Sequence, residues 1–267
     1  MPSPLPWTTP EPRALSAARA ALAPWRFMTS PTFLGAARVP RDRPVMFVGN
    51  HTLMGVLDTP LLMLGIVEHT GHYPRSLADH FHFRVPLWRS LLAHFGAVPG
   101  SREACRALMR ERASLLVFPG GGREVMKRRD EQYTLLWGDR SGFARLSREA
   151  GYTIVPVASV GAEECYRILI DQGDIAGTAL GRRLIARAPR RDVAFPTLVY
   201  GLGGSPLPIP QRFYFSFGEP IESEPYRAWG DERAAITALR DRVKTALAAE
   251  IAELLRRRAS AARAKAT

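Results

Sequence analysis

The sequence predicts an α/β fold: a central mixed, largely parallel β-sheet flanked by helices, with peripheral helices at the N- and C-termini. Three observations predict it. Apolar, β-branched runs at residues 45–49, 114–118 and 153–160 read as buried strands, because strands covered on both faces carry continuous apolar runs. Helical patterns separate these runs, as in βαβ units. A chain of 267 residues is long enough for one large domain with a full core.

Composition bounds the function classes. The formal net charge is +12 and the isoelectric point about 10.6, with arginine supplying nearly all the positive charge. Such a balance implies an anionic partner: nucleic acid, acidic lipid or a phosphorylated ligand. Neither an aromatic RNA-binding motif nor a helix-turn-helix pattern is present, which argues for no nucleic acid. Two cysteines, Cys105 and Cys165, give no disulfide framework and suit a reducing compartment. The proline-rich N-terminus lacks the apolar segment of a signal peptide. No run approaches the roughly 20 apolar residues of a spanning helix. The expected location is cytoplasmic, soluble or on a membrane surface as a peripheral, monotopic protein.

Residues 1–12 are rich in Pro, Ser and Thr and read as irregular. Residues 13–33 mix Ala and Leu with Arg19, Trp25, Arg26, Phe27 and Phe33. That pattern suits a helix lying in a membrane interface or a surface helix packed on the domain. Together residues 1–34 form an N-terminal peripheral segment.

The strand at residues 45–49 delivers His51 to its carboxyl end, where ligands sit in open α/β sheets. A glycine-containing turn, Asp58 and an apolar helix over residues 59–67 follow, with Asp58 as N-cap and Pro60 in the first turn. A strand-end histidine and a nearby carboxylate are the parts of a general base with its orienter. The same histidine could instead cap a backbone group.

Residues 76–78 are a short strand candidate and residues 87–95 a helix. His69, His72, His80 and His82, with Glu68 and Asp79 near them, match no metal-ligand spacing, so no metal is assigned and the side chains read as surface or groove-lining. Residues 95–102 form a short strand and a turn, with Ser101 as N-cap of a helix reaching Arg112. The strand at 114–118 ends in Pro119, Gly120, Gly121, Gly122, Arg123 and Glu124. A triple glycine lets backbone N–H groups approach a ligand closely, as anion-cradling loops do. The absence of Gly-Lys-Ser/Thr excludes a nucleotide P-loop.

Residues 141–150 read as a helix. In the strand at 153–160, Pro156 predicts a sheet edge or a strand end. Residues 162–200 are irregular, rich in arginine and long for a connection, which fits a lid or a substrate-binding excursion. Residues 212–217 alternate as a strand closed by Gly218, Glu219, Pro220 and Ile221. Residues 201–205 have the spacing of neither a nucleophile elbow nor a dinucleotide fingerprint. From residue 231 to 267 the chain is a basic amphipathic helix. Ile236, Leu239, Val243, Leu247, Ile251 and Leu254 make one apolar face that packs on the domain or docks on acidic lipid.

Four segments, taken in order, resemble the acylglycerol-phosphate acyltransferase superfamily: His51 to Asp58, Gly96 to Arg102, Phe118 to Arg123, and Val155-Pro156-Val157. The resemblance covers roughly residues 40–222 and makes residues 35–230 the acyltransferase domain. Arg123-Glu124 and the run from Phe215 to Ile221 look closest to the branch of diacylglycerol acyltransferase-like proteins and plastid phytyl ester synthases.

The resemblance implies acyl transfer from a thioester, acyl-CoA or acyl carrier protein, to a lipid or alcohol hydroxyl at an anionic membrane surface, with no further cofactor. On this match His51 deprotonates the acceptor, Asp58 orients the imidazole, and Gly120, Gly121, Gly122, Arg123, Glu124 and Arg102 bind substrate. Six residues separate His51 from Asp58, more than the family's usual spacing. On one continuous helix the two would stand about 10 Å apart along the axis. The segment must therefore loop back near Gly55. Glycines replace the polar side chains that phosphate-type relatives carry in the third motif, and a loop carboxylate at Glu124 would repel a phosphate or pair with Arg123. Both features point to a neutral acceptor such as diacylglycerol. The alternatives are a lysophosphatidic acid acyltransferase and a non-catalytic lipid-binding relative.

Overall fold

The structure, a computed structural model, describes residues 12–78, 97–188, 190 and 193–264. The helix expected at 87–95, with Asp79, His80 and His82, lies outside them.

Seven strands form one mixed sheet: β1 Thr32–Leu34, β2 Val45–Gly49, β3 Arg75–Ala78, β4 Val98–Pro99, β5 Leu115–Val117, β6 Thr153–Val160 and β9 Tyr214–Phe217. Their order is β1-β9-β6-β2-β5-β3-β4. The run from β6 to β4 is parallel, and β9 pairs antiparallel with β6 and parallel with β1. β7 Arg167–Ile170 and β8 Leu198–Tyr200 form a separate antiparallel pair.

The central strand β2 is buried along its whole length, and its side chains alternate between two cores. Val45 and Phe47 pack under α1 Pro12–Thr29 and α2 Thr59–Thr70 with Trp25, Leu61, Leu62 and Ile66. Met46 and Val48 face α3 Arg102–Arg110, α5 Gly142–Ala150 and the long α8 Glu232–Ala264. All six apolar residues read as one face of the last helix are buried there, against β6 and β9.

Three expectations are corrected. The N-terminal segment is less peripheral than its composition suggests, because Thr32–Leu34 become a strand of the main sheet. Pro156 lies neither at an edge nor at a strand end: β6 is held between β2 and β9. The β6–β9 ladder runs to Val157 opposite Phe217 and resumes with reciprocal bonds of 2.9 and 2.7 Å between Ile154 and Ile221. One extra residue on the β9 side bulges between those points, so the N–H that Pro156 lacks falls opposite an interruption. Its carbonyl still accepts from Gly218 N–H at 2.8 Å. The stretch from 162 to 200 is not irregular either. It holds β7, α6 Gln172–Ala176, α7 Ala179–Arg187 and β8, with the Asp171 side chain capping α6.

His72 belongs to the architecture. Nε2 lies 2.7 Å from the Pro40 carbonyl, which can only accept, so Nδ1 accepts from the Ser114 hydroxyl at 2.8 Å. The Ser114 oxygen in turn accepts Val45 N–H. Burial lowers the His72 pKa, which suits a neutral ring in that chain of bonds.

Candidate active site

β2 and β5 are adjacent and parallel, so both end at the same edge of the sheet and deliver His51 and the glycine loop side by side. Gly49 has a spatial purpose. A Cβ there would stand 3.0 Å from Phe118 Cε1, and without it the Phe118 ring lies over the end of β2. The His51 imidazole stacks on that ring, with centroids 4.0 Å apart and planes at 19°.

After His51 the chain doubles back. Gly55 N–H donates to the Thr52 carbonyl at 3.0 Å, and Met54 and Gly55 both have positive φ, 65° and 62°. Such a turn favours glycine. It also needs one for space, because a Cβ at Gly55 would lie 2.9 Å from His51 Nδ1 and Cε1. Met54 N–H bonds the Val125 carbonyl at 3.0 Å and ties the turn to the helix after the glycine loop. The turn expected near Gly55 is therefore present.

Asp58 does begin α2, with Leu62 N–H on its carbonyl at 2.8 Å, yet its side chain does not cap the helix. Instead Oδ2 accepts from Ser159 Oγ on β6 at 2.6 Å. Ser159 is itself fixed by Asn50, whose amide accepts Ser159 N–H at 2.9 Å and donates to its carbonyl at 3.0 Å. The residue beside His51 thus extends the β2–β6 pairing by side-chain bonds. Asn50, Asp58 and Ser159 are all buried. Burial pushes the Asp58 carboxyl above its ordinary value, and Ser159 and Thr52 act against that rise.

In the glycine loop, Gly121 needs its conformation, with φ 49° and ψ −140° just before α4 Gly122–Val125. Gly120 needs its size, as Glu124 fills the adjoining space. Glu124, expected to bind substrate, is turned inward. It is fully buried; Oε2 accepts His51 N–H and Oε1 accepts Leu136 N–H, each at 2.9 Å. Nor does it pair with Arg123, as the sequence suggested. Arg123 is bound to Glu131 and donates to the Met126 carbonyl at 3.3 Å. Arg140 donates to the Gly120 carbonyl at 2.9 Å.

Below the loop, Lys127 and Glu163 form a pair at 2.5 Å with both side chains 1% exposed. Glu163 also accepts Tyr133 N–H at 2.8 Å. The segment that follows the glycines is thereby anchored to the turn after β6.

Arg102 heads α3, exposed and just beyond β4. That is the same edge of the sheet, two strands from β5 and so about 10 Å across by ordinary strand spacing. Arg190, which the sequence reading did not single out, lies beside the glycine loop: its Nη2 is 3.5 Å from the position a Cβ would take on Gly122.

Residues 30–160 match the acyltransferase family model, so this segment carries an acyltransferase domain. It is 31% identical over 69% of its length to phytyl ester synthase 2, chloroplastic, of Arabidopsis thaliana, and covers 28% of that protein. It is 33% identical over 65% of its length to the DGAT1/2-independent enzyme synthesizing storage lipids of Homo sapiens, and covers 52% of it. The chain thus spans about half the length of such relatives or less. The crystal structure of the 1-acyl-sn-glycerophosphate (LPA) acyltransferase PlsC from Thermotoga maritima superposes with a TM-score of 0.51 at 15% identity, covering 91% of this chain and 78% of that one. At that identity the likeness shows the fold alone.

Proposed function

We propose that the protein transfers a fatty acyl group from an acyl thioester to a neutral hydroxyl, with His51 as general base. The observation that carries this reading is the placement of the imidazole at the carboxyl end of β2, stacked on Phe118 beside the glycine loop, with the buried Asp58 opening the helix that follows. An alcohol is barely acidic at neutral pH, so a positioned base contributes on the order of 10²–10⁴-fold. His51 takes the hydroxyl proton as the oxygen attacks the thioester carbonyl. The tetrahedral intermediate then collapses, the C–S bond breaks, and the imidazolium returns the proton to the leaving thiolate.

The neutral acceptor is favoured by the loop's own guanidinium. Arg123 is committed to Glu131 and to a carbonyl, so it is not presented to a phosphate dianion. The names of the relatives, a phytyl ester synthase and a storage-lipid enzyme, point the same way. Arg190 beside Gly122 suits the phosphopantetheine chemistry common to acyl-CoA and acyl carrier protein donors. Lipid acceptors lie in membranes, and the expected working position is the cytoplasmic face of an anionic bilayer. Among the described residues no helix is long and apolar enough to cross one.

The test is thiol release from acyl-CoA with diacylglycerol, a long-chain alcohol and lysophosphatidic acid offered in mixed micelles. The protein's own two thiols are buried, which pushes Cys105 up to about 11 and Cys165 up to about 12 and disfavours their reaction in such an assay. His51→Ala is expected to lose at least about 10²-fold in turnover with its thermal melt unchanged. Retained turnover refutes the base, and phosphatidic acid as main product refutes the neutral acceptor.

A further inference from the structure

We infer that Glu124 is the positioning residue of the general base, and that position 120 is glycine because the Glu124 carboxylate occupies the space of its side chain. A Cβ at Gly120 would lie 2.0 Å from Glu124 Cδ, 2.2 Å from Cγ and 2.5 Å from Oε2. These distances are far inside van der Waals contact, so a side chain at 120 fits only if Glu124 leaves its place. Gly120 is not among the residues of positive φ, so backbone conformation does not demand glycine there.

The carboxylate is spent on two backbone groups. Oε2 receives His51 N–H and Oε1 receives Leu136 N–H, both at 2.9 Å, from a side chain that is 0% exposed. The first bond fixes the peptide that carries the imidazole, just past the end of β2. The second fixes the segment that returns over the loop. Both are charge-assisted bonds in a dry setting, and such bonds are the strong ones. Burial pushes the Glu124 carboxyl up, whereas Lys127 and these two donors favour its ionised form.

Glycine 120 and glutamate 124 are therefore one device: a small residue vacates a space, and a carboxylate from the next turn fills it. The geometry makes the device exchangeable. In an aspartate the carboxylate oxygens stand about 2.4 Å from the side chain's own Cβ by standard bond lengths. Glu124 Oε2 lies 2.5 Å from the Cβ position at Gly120. G120D/E124A thus returns a carboxylate to the same spot from the other side.

This inference rests on the reading of His51 as base, and the experiment separates the two. In the full chain, E124A and E124Q are expected to lower kcat on the order of 10²-fold through misplacement of the imidazole, with KM for acyl-CoA and acceptor within about 2-fold. G120D/E124A is expected to recover kcat to within about 10-fold of wild type, while G120D alone, with two carboxylates in one space, falls below E124A. Thermal melts accompany each variant, and a kcat loss that merely follows the melt, or a double variant no better than E124A, overturns the inference. The His51 amide proton resonance in ¹⁵N-labelled protein needs no turnover. It should lie downfield in wild type, move upfield in E124A and return in G120D/E124A. If wild type releases no thiol the proposed function fails, while the Glu124–His51 bond still stands or falls on that resonance.

Discussion

Asp58 sits where a carboxylate is costly, with the Ser159 hydroxyl on Oδ2. Burial holds its folded-state pKa above the unfolded value of about 3.9. Its contribution to stability is full below about pH 4, where the acid is protonated in both states, and is lost as pH rises through the folded pKa. Asp58→Asn keeps an acceptor for Ser159 and does not titrate. Its melting temperature should gain on wild type as pH rises from 4 to 8. A difference in melting temperature that stays constant across that range would contradict the raised pKa. Legibility divides at this scale. His51 and the glycine loop could be read because each closes an apolar run. Asn50, Ser159 and Arg190 could not, since their roles depend on cross-strand register and on the approach of a distant segment. Gly120 was read as a sign of the acceptor, but its cause is the space taken by Glu124, which local sequence does not display.

Elements were legible where their periodicity was long. The apolar face of α8 names its buried residues one by one, because 3.6-residue spacing over 33 residues leaves a single solution. β6 was legible as a strand but not as a central one, since only the bulge opposite Pro156 shows how a missing N–H is tolerated there. The 162–200 excursion escaped because its strands and helices are short and its leucines face outward, giving no inward stripe to read. The contrast between α8 and α7 can be measured. Leu247 is fully buried, so Leu247→Ala should cost about 2–5 kcal/mol, a drop in melting temperature on the order of 10 °C for a chain of this size. Leu184 on α7 is exposed, and Leu184→Ala should stay within about 0.5 kcal/mol. Equal losses in calorimetry would mean that α7 is packed rather than presented.

At the scale of the whole molecule the net charge of +12 has to be placed on a surface. The sequence pointed to the N-terminal helix, and Phe27, 89% exposed near the end of α1, fits an interfacial anchor. Its arginines fit less well: Arg19 and Arg26 share the single carboxylate of Glu68, which compensates half of their charge. α7 offers the better electrostatic face. Leu180 and Leu184, one turn apart, stand exposed among the exposed Arg182, Arg183 and Arg187. Arg182 donates to the carbonyls of Ala176 and Gly177, which carry no counter-charge. Arg190, at the glycine loop, lies three residues beyond α7 in sequence, so a bilayer engaged by this helix would be close to the site from which a lipid acceptor enters. Basic residues beside an anionic surface are worth about 1 kcal/mol each, so R182Q/R183Q/R187Q should weaken binding to phosphatidylserine vesicles on the order of 100-fold. Binding of the wild type should rise with anionic lipid and fall with salt, because surface charge pairs are screened within about 10 Å at 0.1 M. L180E/L184E should weaken binding at high salt as well, where only the apolar contribution remains. Vesicle co-sedimentation reads all three. Unchanged binding of the arginine variant would exclude α7 as the docking face, and wild-type binding that ignores both lipid charge and salt would exclude electrostatic docking altogether.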